Sequence, residues 1–172
     1  MKKILFHLAM LCALASATSC FNDPIDLDGT HWDVVYYEDM FDGSVVSSDY
    51  LNGSLKCYDN GSGVELYLTV DEFGYNNEAL DPDSYKIVRS SKDELIIDLW
   101  YVEYEGLKPG DCTYVETYMG KKIYSFPDPD DNKYSYYVYF NSRGRAVDLG
   151  VEEVGNNEYY FYDTTRIKCE RR

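Results

Sequence analysis

The sequence predicts an all-β protein, an antiparallel up-and-down barrel of about eight strands, with a β-sandwich as the alternative. Three observations lead to this prediction. Apolar and polar residues alternate with a period of two along many short segments, and no long helical period occurs. Turn-forming stretches rich in Gly, Asn, Asp and Pro separate those segments. Tyrosine, which favours strands, occurs 19 times in 172 residues.

The first 19 residues have the features of a secretory signal peptide. Lys2 and Lys3 provide positive charge, and an apolar run over residues 4–15 is interrupted only by His7. This run is too short to serve as a permanent membrane-spanning helix. We therefore expect residues 1–19 to be removed during export.

Two processing sites fit the end of this signal. The small residues at 15–17 fit ordinary cleavage, which would release a soluble, secreted chain that starts at Thr18. Residues 17–20, Ala-Thr-Ser-Cys, resemble a bacterial lipobox, in which the cysteine carries a diacylglycerol. That resemblance implies a lipid anchor on Cys20, an acidic tether over residues 20–28 and an outer-membrane lipoprotein. The tether also resembles the acidic export signals of lipoproteins that reach the cell surface.

The charge balance excludes one class of partner. The chain contains 31 acidic and 16 basic residues, for a net charge of −15. A protein with no basic surface is not expected to bind nucleic acid, and its electrostatic attraction to anionic lipid is poor. Residues 29–172 are enough for a single β-domain with one hydrophobic core.

The alternating segments follow one another along the chain, and each ends at a turn signal. Leu66 and Leu68 share one face of their segment, and Ile97 and Leu99 share one face of another. These apolar rows are expected to face the interior, either as a packed core or around a hollow. The predicted strands cover residues 32–38, 64–71, 84–90, 95–104, 113–119, 121–126, 134–141, 147–152 and 158–164.

The start of the domain resembles that of lipocalin-like domains. In "LDGTHWDVVYY", Gly29 shortly precedes Trp32, which opens the first predicted strand. "SYKIVRSSKDELIIDL" is similar to a mid-barrel hairpin, and "YYFYDTTRIK" to a last strand that ends in a basic residue. The resemblance implies that Trp32 closes the barrel floor and that Arg166 lies across it. Two residues separate Gly29 from Trp32, whereas the usual lipocalin spacing has one.

The sequence offers few groups for catalysis or metal binding. His31 is the only histidine after the signal, so a Ser-His-Asp or Cys-His set would depend on it alone. We therefore predict no catalytic residues, no cofactor and no enzyme activity. The weak metal candidates are Asp128, Asp130 and Asp131, whose oxygens suit Ca²⁺. Their loop lacks the turn glycine and distal glutamate of an EF-hand, so a solvated turn is the favoured interpretation.

Three cysteines follow the predicted lipidation site: Cys57, Cys112 and Cys169. In an oxidising compartment such residues can pair, and we expect at most one disulfide among them. The pairing itself stays open because it depends on distances that the sequence does not contain.

These features favour a non-enzymatic envelope lipoprotein that binds a small ligand or a partner through a lipocalin-like barrel. Its expected contacts are the membrane, through the lipid anchor, and a small apolar ligand, a glycan or a protein. The alternative is a surface adhesion or assembly module with a β-sandwich, which would bind a glycan or protein through exposed aromatic rings. The candidate contact residues are Trp100, Tyr104 and Tyr67, on the more polar faces of their strands.

Overall fold

The computed structural model describes residues 26–172, except for 60, 62, 101–102, 129–130, 132 and 156–157. Cys20, Asp130 and the predicted signal peptide lie outside the described residues. Numbered along the chain, the described strands are β1 (His31–Phe41), β2 (Ser44–Asp59), β3 (Val64–Val70), β4 (Tyr75–Ala79), β5 (Tyr85–Ser90), β6 (Glu94–Trp100), β7 (Glu103–Tyr104), β8 (Thr113–Tyr118), β9 (Lys121–Pro127), β10 (Ser135–Phe140), β11 (Ala146–Gly155), β12 (Glu158–Tyr162) and β13 (Thr164–Arg171). Short 3₁₀ turns occur at Asp71–Phe73, Pro82–Ser84 and Pro109–Asp111.

The strands form two antiparallel sheets. The first sheet has the spatial order β4-β3-β2-β1-β13-β6-β5, and the second has the order β12-β11-β10-β9-β8, with β7 paired to β11. The all-β antiparallel class predicted from the sequence is therefore confirmed, with barrel or sandwich character. The described strands number thirteen in two sheets, where the sequence predicted about eight in one barrel.

The first sheet curls strongly, and its concave face is filled with aliphatic side chains. Leu66, Leu68, Ile97 and Trp32 have no exposed surface there. Tyr85 on the edge strand β5 donates a hydrogen bond of 3.1 Å to the carbonyl of Val64 on β3. This bond links the two ends of the curled sheet, so the sheet forms a half-barrel around a packed core.

The second sheet has a smaller core that is rich in aromatic rings. Ile123, Leu149 and Phe161 pack there with Tyr139. Phe41, at the end of β1, reaches across from the first sheet and contacts the Tyr139 and Tyr118 rings at centroid distances of 5.5 and 5.1 Å. The two sheets therefore share a boundary at the end of β1.

Strand β2 was not predicted from the sequence. It runs for 16 residues and pairs with β1 and β3, but half of its residues are exposed and its polar residues do not alternate regularly with apolar ones. Only Leu51, Leu55 and Cys57 are buried along it. A strand whose partners supply the pairing needs little apolar alternation of its own, so the period-two signal is weak there.

The predicted strand over residues 158–164 divides at Asp163. β12 belongs to the second sheet and β13 to the first, so the chain changes sheets at this residue. The Asp163 amide donates to the carbonyl of Met40, and its carboxylate accepts from the amide of Asp42 and the hydroxyl of Tyr139. These bonds stabilise the corner between the two sheets.

The folded body begins earlier than expected, inside the predicted tether of residues 20–28. Leu27 is only 7% exposed and packs in the core of the first sheet. The Asp28 carboxylate accepts a hydrogen bond from the amide of Asp59. Residues 27–28 are therefore part of the domain. Burial of the apolar Leu27 side chain stabilises this arrangement relative to a linker in which the side chain faces water.

Within the described residues, no helix has the length and apolar content needed to cross a bilayer.

Candidate binding groove

A groove lies between the two sheets. Two adjoining cavities of about 430 and 370 Å³ form it, and both are lined by Glu72, Phe73, Glu152 and Tyr162. The first two residues follow β3, and the last two lie on β11 and β12. We call these two cavities together the inter-sheet groove.

The wall from the first sheet consists mainly of aromatic rings. Tyr37 on β1 and Phe73 in the first 3₁₀ turn meet edge to face, with centroids 5.3 Å apart and planes at 85°. Gly74 ends this turn with a φ of 75°, which favours glycine, and the chain then enters β4 at Tyr75. The three rings also pack against the first core, so the core holds this wall in place.

The wall from the second sheet is set by the pairing of β11 with β12. Glu152 lies opposite Tyr160, and Gly150 lies opposite Tyr162, so these residues share one face. The Tyr162 ring covers Gly150, where a methyl group would collide with it. The lack of a side chain at Gly150 therefore lets Tyr162 lie flat against the strand beside Tyr160, at a centroid distance of 5.8 Å.

Asp39 is the buried carboxylate of the groove, with 4% of its surface exposed. Thr165 donates a hydrogen bond of 2.7 Å to one oxygen, and the Tyr160 hydroxyl donates one of 3.3 Å to the other. Burial raises the pKa of Asp39, although these two hydrogen bonds oppose the rise. The three residues come from β1, β13 and β12, so this cluster joins both sheets beneath the groove.

Trp100, at the end of β6, is the predicted contact residue that lies in the groove. The residue is 38% exposed, and its indole N–H donates a hydrogen bond of 2.7 Å to the carbonyl of Asp83. The same ring lines a neighbouring cavity of about 490 Å³, where Arg145 pairs with Glu103 at 2.8 Å. Trp100 is therefore held by its hydrogen bond where the groove meets neighbouring cavities.

Tyr104 and Tyr67 do not line the inter-sheet groove. Tyr104 packs edge to face on Phe126 of the second sheet, and its pKa is raised to about 12, chiefly by burial. Tyr67 lies against Tyr58 and donates a hydrogen bond to Glu65 on its own strand. Both tyrosines stabilise sheets through neighbouring side chains, as cross-strand pairs do.

The predicted pair of Trp32 and Arg166 is not formed. Arg166 donates two hydrogen bonds, of 2.7 and 3.0 Å, to the carboxylate of Asp98 on β6. The guanidinium over the Trp32 ring belongs instead to Arg171, at 5.7 Å from its centre. The register explains the correction, because Arg171 is opposite Trp32, whereas Arg166 is opposite Glu38 at the other end of β1.

The other predicted sites have local structural roles. Asp128 accepts bonds from the Asp131 amide and the Tyr136 hydroxyl, and Asp131 accepts from the amide of Lys133, so both support the turn before β10. Within the described residues, no group of three His, Cys, Asp or Glu side chains is arranged to hold a metal ion. His31 is exposed at the start of β1.

The three described cysteines are free thiols. Cys57 and Cys169 are buried in the core of the first sheet. Burial raises the pKa of the Cys169 thiol to about 12, and the neighbouring Cys57 adds to the rise. A buried thiol that resists ionisation is a poor nucleophile, so these residues serve as small apolar side chains of the core.

Asp148 is an ionisable group that lies outside the groove. One of its carboxylate oxygens is buried without a hydrogen-bond partner among the described residues. Burial raises the pKa of this carboxyl to about 6, while a bond from the Leu149 amide lowers it. Asp148 therefore weakens the second sheet when it is charged.

Comparison of the chain with known proteins gives no relative. No protein family, no curated protein and no solved structure matches it. The fold and groove therefore define it as an all-β, two-sheet protein with an aromatic groove, and its resemblance to lipocalin-like lipoproteins stays a prediction.

Most of the groove residues were missed by the sequence analysis. Tyr37, Phe73, Asp39 and Glu152 lie on separate segments, and none carries a local motif. The sequence did show aromatic residues on the more polar faces of strands, and this signal led to the prediction of Trp100. A groove made by two sheets depends on how distant strands pack, so single segments do not reveal it.

Proposed function

We propose that the protein is a non-enzymatic envelope lipoprotein that binds a small polar ligand in the inter-sheet groove. The groove supports this proposal because aromatic rings from both sheets face one opening. Ligand sites are concave and combine apolar or aromatic surface with placed polar groups. The groove is concave, and it combines aromatic rings with carboxylates. The anchor would be a lipid on Cys20, which keeps the acidic body beside the membrane.

The filled half-barrel favours the groove over the interior as the ligand site. Leu55, Leu66, Leu95 and Ile167 inside the first sheet have no exposed surface. An apolar ligand inside the curled sheet would have to displace these side chains, at a cost of lost packing. The groove needs no such rearrangement.

The two tryptophans allow a direct test of the ligand site. The Trp32 indole N–H is buried and bonded to Thr30. The side chain of Trp100 lines the groove, and its indole N–H is bonded to the Asp83 carbonyl. In an NMR titration of the ¹⁵N-labelled mature chain, a ligand in the groove should shift the Trp100 indole signal and leave that of Trp32 unchanged. The probes are cellohexaose, a hexuronate oligomer, choline, spermidine and palmitate.

Two variants give this titration its control. Phe73→Ala removes one ring of the groove and should weaken binding about tenfold, within the range for loss of an aromatic contact. Tyr114→Ala removes an exposed ring on β8, outside the groove, and should leave binding unchanged. If palmitate alone binds and shifts the Trp32 signal, the ligand enters the interior and the proposed site is wrong.

Lipidation has its own test. Labelled palmitate should enter the wild-type protein during growth, and Cys20→Ala should abolish both labelling and membrane retention. Retention of the Cys20→Ala variant at the wild-type level would contradict the anchor without affecting the groove.

The predicted adhesion module remains a second candidate because of strand β8. It is an edge of the second sheet, and it exposes Tyr114 and Val115, with Met119 directly after it. An open edge with exposed apolar residues can accept a strand from a partner. Loss of cell-surface attachment on Val115→Lys, with groove binding intact, would favour this function.

A further inference from the structure

We infer that the inter-sheet groove binds the alkylammonium end of an organic cation, between its aromatic rings and its carboxylates. The inference rests on the proposed function, and it specifies the chemical class of the ligand. Four observations support it: the composition of the lining, the absence of internal ion pairs, the placement of Asp39 and the arrangement of the rings.

The lining combines aromatic rings with carboxylates and contains no basic residue among those described. Four carboxylates line the groove: Asp39, Asp49, Glu72 and Glu152. The neighbouring cavity differs in this respect, because it contains the pair of Glu103 and Arg145. A neutral sugar needs both donors and acceptors, whereas this groove offers a concentrated negative potential.

None of these four carboxylates forms an ion pair within the described part of the chain. The ion pairs of the described residues lie at other places, for example between Arg166 and Asp98, Lys168 and Glu94, and Arg172 and Asp33. The groove charges are therefore left without a counter-charge in a chain whose net charge is −15. A bound cation would supply that counter-charge.

Asp39 places one of the charges at the base of the groove. Its two oxygens accept hydrogen bonds from Thr165 and Tyr160, which orient the carboxylate, but neither donor carries a positive charge. Burying a carboxylate is costly unless an opposite charge is close. An ammonium group in the groove would offset this cost and favour the charged form of Asp39.

The rings are arranged as walls that meet at an angle. Tyr37 and Phe73 are nearly perpendicular, and Tyr160 and Tyr162 form a tilted pair on the facing wall. Aromatic faces carry partial negative charge, and several of them around one space bind quaternary and primary ammonium groups. The charges of Asp39 and Glu152, after burial, help to raise the pKa of Tyr160 to about 12, so the potential there is negative.

The first experiment compares choline with 3,3-dimethylbutan-1-ol, its uncharged isostere, by calorimetry on the mature chain. Choline should bind at least about tenfold more tightly, because cation–π and carboxylate contacts depend on the charge. Equal affinity for the two compounds would overturn the inference.

The second experiment uses neighbouring residues on β11. Glu152 lies in both cavities of the groove, whereas Glu153, the next residue along the strand, points to the opposite face. Glu152→Gln should weaken choline binding about fivefold, whereas Glu153→Gln should leave it unchanged, since a charge on the opposite face of the strand does not contact the ligand and is screened by salt. An equal loss in both variants would show that the overall negative charge attracts the cation, and it would contradict a site in the groove.

Two further probes identify the source of the ammonium group. Spermidine represents free amines, and a trilysine peptide represents side chains of a partner protein; binding of either, with a shifted Trp100 indole signal, supports the inference. A shift with cellohexaose but with none of the cations would contradict the inference and leave the proposed function standing. No shift with any probe would contradict both.

Discussion

The two sheets are built from different side chains, and the difference accounts for where the groove lies. The first sheet encloses an aliphatic core in which Leu55, Leu66, Ile97 and Ile167 are fully buried. The second sheet depends on tyrosine and phenylalanine rings, such as Phe126 with Tyr104. Aliphatic side chains fill a curved interior completely, whereas tyrosine hydroxyls need polar partners and so keep part of the sheet close to water.

The boundary between the sheets collects the buried polar groups. Asp39 and Asp163 are both nearly inaccessible there, and each accepts hydrogen bonds from a tyrosine hydroxyl of the second sheet, Tyr160 and Tyr139. Burial is the largest cause of the raised pKa of Tyr139, and the Asp163 charge is the next. Tyrosine hydroxyls of the second sheet are thus bonded to carboxylates at the boundary with the first sheet, and the groove lies along this boundary.

The largest expected difference in stability between the sheets is that between substitutions at two glycines, one in each sheet. A methyl group added to Gly53 in β2 would lie 2.5 Å from the Thr69 carbonyl oxygen and 2.6 Å from a Val70 methyl. The three atoms nearest to a methyl group at Gly150 all belong to the ring of Tyr162, a side chain that borders the groove and yields more easily than backbone. Gly53→Ala should therefore lower the free energy of unfolding by about 3 kcal/mol and Gly150→Ala by about 1 kcal/mol, by urea denaturation.

Equal losses in these two variants would show that the second sheet is as rigid as the first, contrary to the comparison. Gly150→Ala should also weaken any ligand in the groove, because the displaced Tyr162 ring would occupy part of it.

The corner between the sheets should be the next most sensitive place. Asp163→Ala removes the acceptor used by Asp42, Tyr139 and Thr164. It should lower the free energy of unfolding by about 2 kcal/mol, since the buried Tyr139 hydroxyl and two partly buried donors lose their partner. The control is Asp33→Ala on β1, where the partly exposed carboxylate pairs with Arg172 at 2.9 Å. It should cost at most about 0.5 kcal/mol. A cost for Asp163→Ala no larger than the control would contradict this role.

The second sheet should be stabilised when its isolated charge is removed. The folded-state pKa of Asp148 is about 6, above the ordinary value of 3.8, so the folded protein binds this proton more tightly than the unfolded chain. Stability should therefore fall as pH rises from about 4 to about 6 and stay lower above that range. Asp148→Asn should gain about 1 kcal/mol at pH 7.5 and nothing near pH 4, measured by thermal unfolding at both values. A gain that is the same at both pH values would rule out ionisation as its cause.

The smallest effects concern the two arginines of β13. Arg166→Ala breaks the two-bond contact with Asp98 and should cost about 1 kcal/mol. Arg171→Ala removes an exposed cation from the Trp32 ring and should cost about 0.5 kcal/mol. The fluorescence of Trp32, recorded in a Trp100→Phe background, should change with Arg171→Ala alone. A change with Arg166→Ala instead would restore the lipocalin-like floor pair.

Most of the strands were predictable because their own residues alternate between apolar and polar. Leu66 and Leu68 were expected inside, and they are fully buried. Strand β2 was not predicted because its sequence lacks a clear apolar alternation. It is a strand because it pairs with β1 and β3. The change of sheet at Asp163 was not predicted either. In the sequence, a residue at such a change resembles any polar residue within a strand.

The amino-acid sequence by itself determined the all-β class, the inward faces of the apolar rows and the strong negative charge. These properties depend on composition and on a spacing of two residues, and both are local. Tertiary structure alone decided that Arg171 and not Arg166 faces Trp32, and that Tyr37, Phe73, Glu152 and Tyr160 meet in one groove. Such meetings depend on the register of distant strands and on the curl of the first sheet, which arise only when the whole chain packs.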